Sequence, residues 1–345
     1  MPEAPPTSPE DVKAACPFCK IVKGEIPSKK VYEEDKLVAA LDINPKSPGH
    51  TLLMPKEHYP ILPVLPADVF CELFAAAKKL SVACSKAVDA NFSNIFIANG
   101  AAAGQQSQHF MVHIIPNKVK GGFEIPLDGA DTAQIQATCE MFSNNLPIML
   151  QNHFQRNHSL KPTAAARSDP IPRYANTKAV YEDSVTLAVL GEGINGHTRV
   201  YAKGGAKSIS DLPDEDIIHL FFVASFAATA AFEGLKVQGT NIIVNNSEDA
   251  FCIDVIPRRE GDGLSFMWEP KPGNPEELEE IAEKIRNALG GAKEEKKPGE
   301  KAAEKKPESP PPPKRGPQKS PERDWQEFML RHQDDVENLD DARNA

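Results

Sequence analysis

The amino-acid sequence predicts an α+β fold that contains two similar domains. With 345 residues, the chain is long enough for two or three domains that each bury a core. Five short blocks of sequence recur in the same order, which indicates an internal repeat. Each copy combines short β-branched segments with one helix of 3.6-residue periodicity, and this mixture is typical of helices packed on an antiparallel sheet.

The repeat consists of five pairs of similar segments. The pairs are 31–41 with 180–190, 49–58 with 196–205, 65–83 with 212–230, 93–100 with 239–246, and 112–122 with 253–263. The spacing between partners stays between 149 and 141 residues, and such a run of matches at nearly constant spacing is hard to obtain by chance. We therefore predict two homologous domains in one chain.

Each copy predicts the order strand, turn, strand, helix, strand, loop, strand. In the first copy the strands are predicted over 31–41, 50–55, 95–99 and 111–116, and the helix over 66–90. A longer helix is predicted over 131–155 after the first copy. The segment 274–291 predicts a closing helix that ends at two glycines.

The charge balance of the chain limits its partners. The formal net charge is −10, with 49 acidic against 39 basic residues, and this acidity does not favour broad nucleic-acid binding. No run of about 18 apolar residues indicates a membrane span, and the N-terminus does not have the pattern of a signal peptide. The six cysteines are mostly scattered, so we expect reduced thiols and a cytoplasmic protein.

The C-terminal part of the sequence differs from the rest. Residues 291–323 hold eight of the 31 prolines, with ten bases against six acids, and predict a disordered linker. A plain tether, an SH3-like ligand and a contact with an anionic surface all fit this composition. Residues 324–345 place Trp325, Phe328 and Val336 on one helical stripe, which predicts an amphipathic helix that docks on a protein partner or on the chain itself.

Cysteine and histidine residues concentrate in the first copy. Cys16 and Cys19 form a C-x-x-C pair, which by itself fits either a redox pair or half of a zinc site. The same copy contains four histidines, whereas the second copy contains two; the four are His50, His58, His109 and His113. The first copy therefore carries the chemistry.

These segments resemble the histidine triad (HIT) family. Residues 16–62 are similar to the opening of a HIT domain, and GQQSQHFMVHIIP at 104–116 is similar to the family's signature, His-φ-His-φ-His-φ-φ after Gly-Gln. The resemblance is strong over 16–127 and weaker over 178–290. It implies a small antiparallel sheet with helices that binds a nucleotide, whose α-phosphate is attacked by the middle histidine. HIT domains pair side by side, so the resemblance also implies an intrachain pseudo-dimer.

The sequence departs from the family at the middle histidine. His109 and His113 stand at the first and third signature positions, and Met111 stands between them. A thioether cannot carry a nucleotidyl group or shuttle protons, so we expect this site to be catalytically defective. In the second copy the three positions read Ala250, Cys252 and Asp254, and only Asn246 clearly survives among its nucleotide contacts.

The resemblance also implies two sets of ligand residues. A structural Zn²⁺ site would use Cys16, Cys19, His58 and His109. A purine-nucleotide site would use Phe18 and Ile43 at the base, Asp42 at the ribose, and Asn99, Gly104, Gln105, Gln106 and His113 towards the phosphate.

Three functions remain open at this point. The first is a non-catalytic nucleotide-binding or sensing protein that recruits a partner through 324–345. The second is an active nucleotidyl hydrolase or transferase on nucleoside phosphoramidates or dinucleoside polyphosphates, with His113 or Cys252 as the substitute nucleophile. The third is a structural adaptor without a ligand. The predicted organisation is a flexible segment 1–14, a zinc-bearing HIT domain 15–160, a degenerate HIT-like domain 161–290, the linker 291–323 and the helix 324–345.

Overall fold

The computed structural model describes residues 9–126, 129–157, 161–162, 165–171, 178–246 and 249–290. The helices in these ranges are α1 Pro9–Ala15, α2 Pro17–Lys23, α3 Ala67–Ala87, α4 Thr132–Arg156, α5 Asp214–Leu235 and α6 Pro275–Ala288. The strands are β1 Lys30–Glu33, β2 Leu37–Leu41, β3 Thr51–Pro55, β4 Phe92–Asn99, β5 Val112–Asn117, β6 Ala179–Glu182, β7 Thr186–Leu190, β8 Thr198–Ala202, β9 Gly239–Val244 and β10 Cys252–Arg258. The predicted linker 291–323 and terminal helix 324–345 lie outside the described residues and stay predictions, as does residue range 1–8.

All ten strands form one antiparallel sheet. Their order is β1-β2-β3-β5-β4-β9-β10-β8-β7-β6, so the second five strands repeat the order of the first five in reverse. The two halves join where β4 pairs with β9, with Ile95 opposite Val244 and Asn99 opposite Thr240. The predicted α+β class is confirmed, and the internal sequence repeat corresponds to this symmetric order.

The prediction of one strand over 31–41 is wrong, because the structure has two strands there, β1 and β2. The backbone N–H of Glu34 donates to the carbonyl of Leu37 at 3.0 Å and closes a turn between the two strands. The second copy turns at the same place, where Oδ1 of Asp183 accepts from the backbone N–H groups of Val185 and Thr186 at 2.9 and 2.8 Å. A polar run with a turn-forming acid therefore outweighs the apolar alternation on either side.

Helices α3 and α5 connect the two halves on one side of the sheet. The Phe74 and Phe221 rings stack with centroids 4.0 Å apart, and Phe70 and Phe222 stack at the same distance. Both helices belong to one cluster of buried apolar residues that includes strands of both halves. The predicted helix over 66–90 is confirmed, with its end at Ala87.

Helix α5 is also the one described helix that is long and apolar enough to cross a membrane by length and composition. Of its most apolar stretch, 67% is buried inside the fold. Its buried residues include Phe221 and Val223, which belong to the shared core. This burial is what the central helix of a globular core requires.

Candidate functional site

A cluster of two cysteines and two histidines lies where α2 meets the sheet. One ligand atom from each of Cys16, Cys19, His58 and His109 lies within 4.8 Å of the others. Sγ of Cys19 is 3.4 Å from Nδ1 of His58 and 3.5 Å from Nδ1 of His109, and Sγ of Cys16 is 3.7 Å from Nδ1 of His109. The four residues predicted as metal ligands therefore meet in space.

Local sequence places the two thiols. Cys16 is the N-cap of α2, and Pro17 occupies the first helical turn, where its missing N–H costs nothing. The helix ends after seven residues at Gly24, whose φ of 79° is left-handed and suits glycine. One turn of helix then brings Cys19 beside Cys16, and the Cys19 backbone N–H lies 3.5 Å from the Cys16 sulfur.

The cluster favours the thiolate form of Cys16. Burial raises the pKa of the Cys16 thiol. Hydrogen bonds with His109, His58 and the Cys19 backbone have the larger, opposite effect together and lower the pKa to about 5. A thiolate is the form of cysteine that binds metal ions.

The donor set fits a zinc ion. With Zn–S near 2.3 Å and Zn–N near 2.0–2.1 Å, tetrahedral geometry places sulfur and nitrogen ligands about 3.5 Å apart. Three of the four S···N pairs in the cluster lie at 3.4, 3.5 and 3.7 Å. Nε2 of His109 lies 2.8 Å from the Pro55 carbonyl, to which it donates when Nδ1 faces the thiols. That bond is the outer contact that usually orients a metal-binding imidazole.

A second polar cluster contains Asp42, His50 and His113. Nε2 of His50 lies 3.1 Å from Nδ1 of His113, and the backbone N–H of Lys46 lies 3.2 Å from Nδ1 of His50. Since the Lys46 N–H can only donate, Nδ1 of His50 accepts and the His50 proton sits on Nε2. That proton is donated to His113, which consequently holds its own proton on Nε2.

Burial keeps both rings neutral. It lowers the pKa of His113 to about 4, and burial together with the charges of His113 and Lys46 holds the pKa of His50 well below its ordinary value. Burial raises the pKa of Asp42, against the opposing hydrogen bond from the Asn44 backbone N–H. Oδ2 of Asp42 is 3.4 Å from Nδ1 of His50. The arrangement is a carboxyl group beside a neutral histidine pair that ends in an N–H donor.

An aromatic wall closes this cluster from the other half of the chain. The Trp268 ring, which follows β10, lies 5.2 Å from the His50 ring and 5.5 Å from the His113 ring. Phe96 of β4 approaches His113 edge-on at 5.7 Å. The site in the first half therefore includes a residue of the second half.

Met111 packs as an apolar side chain. With Phe18 and Val22 of α2, it covers a buried cluster on strands β2 and β3; the cluster contains Val38, Leu52 and Met54. Phe18 also lies 6.1 Å from the His109 ring. In the sequence, Met111 thus lies between His109 of the cysteine–histidine cluster and His113 of the second cluster.

Comparisons with known proteins match part of the first half of the chain to a family. A sequence model of the HIT domain matches residues 23–120. A HIT-like protein of Methanocaldococcus jannaschii is 46% identical over 101 residues, which make up 29% of this chain and 78% of that protein. The chain belongs to the HIT family.

Two further relatives have named activities. Adenylylsulfatase HINT3 of Arabidopsis thaliana is 45% identical over 103 residues, which are 30% of this chain and 52% of that protein. The chain thus spans about half the length of this relative. Adenosine 5'-monophosphoramidase HNT1 of Saccharomyces cerevisiae is 38% identical over 112 residues, covering 32% of this chain and 68% of that protein. A histidine triad nucleotide-binding protein from Candida albicans shares 32% identity over 39% of this chain and 99% of its own, with a TM-score of 0.35.

Within this HIT domain, the remaining predicted nucleotide residues have different surroundings. Ile43 is exposed beside Asp42, at 67% of its surface. Asn99 is buried, and its amide binds the Leu62 N–H at 3.0 Å and the Thr240 hydroxyl at 3.3 Å. Those two bonds fix the side chain and join β4 to the Leu62 turn and to β9.

The three residues of the predicted segment 104–106 differ in their surroundings. The amide of Gln105 binds the Gly100 N–H and the carbonyls of Pro60 and Ser107 at 2.6–2.8 Å. Gln106 is exposed. Gly104 has a φ of 85°, and a Cβ there would lie 2.8 Å from the Met267 side chain, so this turn requires glycine.

In the second half, the positions that correspond to the HIT signature are occupied differently. Ala250 and Cys252 are buried apolar neighbours of Tyr201. Asp254 accepts from Nε2 of His197 at 2.9 Å, where the HIT domain has the His50–His113 pair. Asn246 donates to the Ser93 carbonyl at 2.8 Å across the junction between the halves.

Sequence reasoning missed His50 and Trp268 as members of the site. His50 was visible only as one of four histidines in the first copy. Trp268 lies in the segment that resembles the end of a HIT domain, but its contact with His50 joins residues 218 positions apart. The signal was the predicted pairing of the two copies, which brings the end of one beside the site of the other.

Proposed function

We propose that this protein binds a purine nucleotide in its HIT domain without efficient catalysis. The observation that carries the proposal is Met111 between His109 and His113, beside a complete Asp42–His50–His113 cluster. Two relatives are named for activities on adenylyl compounds, an adenylylsulfatase and an adenosine 5'-monophosphoramidase, which supports a nucleotide as the ligand class.

Each group has a role in binding. The Asp42 carboxyl accepts from ribose hydroxyls, and Ile43 and Phe18 supply apolar surface for the base. His113 donates its Nε2 proton to a phosphate oxygen, since its Nδ1 is engaged by His50. The neutral state of both rings makes His113 a fixed donor at pH values well above its pKa of about 4, so binding does not depend on protonating it.

The missing step is nucleophilic attack. In the HIT reaction a histidine nitrogen displaces the leaving group from the α-phosphate, and water later displaces that nitrogen. The Met111 sulfur has no proton to exchange and no stable bond to offer phosphorus. Loss of a nucleophile costs on the order of a thousandfold or more in rate. Bound nucleotide should therefore persist unchanged.

We also propose a structural Zn²⁺ held by Cys16, Cys19, His58 and His109. The metal would supply four bonds that tie α2 to the loop before β5, and no chemistry. The second half is then a degenerate HIT-like domain that completes an intrachain pseudo-dimer. Its contribution to the first site is the Trp268 wall.

The experiment combines binding with turnover. Calorimetry with AMP and GMP measures affinity, and AMP release from adenosine phosphoramidate measures activity, for the wild type, Met111→His and Met111→Leu. We expect binding by all three and turnover by Met111→His alone, at least about a hundredfold above the wild type. Met111→Leu controls for repacking beside Phe18.

Two results would contradict the proposal. Wild-type turnover that is abolished by His113→Ala would establish an active enzyme with a different nucleophile. Absence of nucleotide binding at millimolar concentration, with a properly folded protein, would leave only an adaptor function.

A further inference from the structure

A cavity of about 740 Å³ lies in the second half, at the position that mirrors the nucleotide site. Segment 123–126, which follows β5 and so comes from the first half, forms one wall. The residues that line the cavity include Phe123, Ile125, Arg199, Asp254, Leu264 and Ser265. This volume lies within the range of sites for small molecules, which is roughly 300–1,000 Å³.

The cavity contains a buried carboxylate with one open oxygen. Asp254 is 4% exposed. Its Oδ1 accepts from Nε2 of His197 at 2.9 Å and from Nε of Arg199 at 3.4 Å. In the part of the chain that the structure describes, Oδ2 receives no hydrogen bond. A carboxylate oxygen has lone pairs for such a bond, so a ligand hydroxyl can donate to Oδ2.

The wall beside Asp254 is fixed rather than open. Both groups of the Asn245 amide bind the Phe123 backbone, at 3.0 Å to its N–H and 2.6 Å to its carbonyl. Asn245 is therefore occupied and holds the segment that carries Ile125. Ile125 lines the cavity together with Phe123.

The charges of the cavity define its ligand class. Arg199 and Asp254 form an ion pair, and Glu124, which is exposed, is the other charged residue among the described residues that line the cavity. A phosphate group entering here would lose its hydration without a positive charge in excess to replace it. Phe123, Ile125 and Leu264 offer an apolar surface opposite the carboxylate. The cavity therefore suits a neutral molecule with an apolar face and hydroxyl donors.

We propose that this second cavity binds a neutral, hydroxyl-bearing molecule of nucleoside size. A hydroxyl donates to Oδ2 of Asp254, and the apolar face packs on Phe123, Ile125 and Leu264. The inference is independent of the function proposed for the HIT domain, because none of these residues belongs to that site.

The test is saturation-transfer NMR on the full-length protein with adenosine and uridine. All measurements are made in an Asp42→Asn background, which weakens ribose binding in the first site. We expect binding of at least one nucleoside, an affinity reduced about tenfold by adding Asp254→Asn, and no binding after adding Ile125→Trp, which fills the cavity. Glu280→Gln, an exposed change on α6, should leave the affinity unaltered.

AMP separates the two ligand classes. In the same background, AMP should bind at least about tenfold more weakly than adenosine, because its phosphate finds no excess positive charge. The proposal is overturned if neither nucleoside binds at millimolar concentration, if binding persists in both cavity variants, or if AMP binds as well as adenosine. Melting curves of each variant confirm that lost binding reflects the cavity and not unfolding.

Discussion

At the scale of single residues, the position of a proton follows from one backbone amide. The Lys46 N–H faces Nδ1 of His50, and this contact determines the tautomers of His50 and His113 in turn. Met111 shows the opposite dependence, because its packing on Phe18 and Val22 needs no polar partner. A histidine at this position would meet the same apolar neighbours, so its reactivity would depend on the hydrogen bonds it could find.

The metal cluster gives the first residue-scale prediction. Purified protein should contain about one zinc per chain, and Cys19→Ser should lower both the metal content and the melting temperature. The loss follows because Cys19 contacts His58 and His109 within 3.5 Å. Elemental analysis and thermal unfolding measure the two effects, with Cys139→Ser on α4 as the control. Unchanged stability after complete removal of metal by a chelator would contradict a structural role.

His153 predicts how stability depends on pH. Burial, with the charges of Arg156 and His219, lowers the pKa of His153 to about 4, and its Nε2 has no hydrogen-bond partner in the described structure. The unfolded state binds a proton near pH 6.5 and the folded state does not, so this contribution is present above pH 6.5 and is lost as pH falls towards 4. Urea unfolding at pH 7, 6 and 5 should show a smaller decline for His153→Phe than for the wild type. An equal decline in both proteins would exclude His153 as a cause.

At the scale of elements, strands β4 and β9 approach each other closely at one end of their pairing. A Cβ at Gly239 would lie 2.6 Å from the Asn99 carbonyl oxygen and 3.0 Å from the Ala103 nitrogen. A Cβ at Gly100 would lie 2.7 Å from the Gln238 carbonyl oxygen. These are backbone contacts on both sides of the junction, so glycine is required by close approach.

Gly239→Ala should therefore destabilise the protein by about 1–3 kcal/mol, since backbone atoms cannot move aside as side chains do. Gly273→Ala is the matched control, because its Cβ would meet only the flexible Leu278 side chain, at 3.0–3.3 Å. Denaturant unfolding of both variants gives the free energies. A loss at Gly239 no larger than at Gly273 would contradict a tight junction.

The sequence predicted most elements because each has a local cause. Periodicity predicted α3, the internal repeat predicted α5 as its counterpart, and the segment 274–291 predicted α6. The turn between β1 and β2 was missed because alternation across 31–41 reads as one strand. The metal residues were found because C-x-x-C is a spacing signal, whereas Trp268 needed a contact between halves that no local pattern contains.

At the scale of the whole molecule, each half contributes residues to the site of the other, and the two halves share a core. Trp268 of the second half closes the cluster around His113, and segment 123–126 of the first half forms a wall of the second cavity. Residues Cys16–Ala292 make up one compact unit, and the central sheet continues through it. Neither site is complete in an isolated half, so separate expression of 15–160 removes the Trp268 wall.

The contacts between the two halves predict that they unfold together. The Phe74–Phe221 stack joins α3 to α5, and the buried cluster around it contains residues of both halves. Phe74→Leu and Phe221→Leu should each lower the free energy of unfolding by a similar amount, about 1–2 kcal/mol, because each removes half of the same contact. Each variant should still unfold in a single transition, at a lower melting temperature. For each of the three proteins, calorimetry and far-ultraviolet circular dichroism should give the same midpoint. Two resolved transitions, with each variant shifting only one, would mean that the halves are independent domains and that the shared core contributes little to their union.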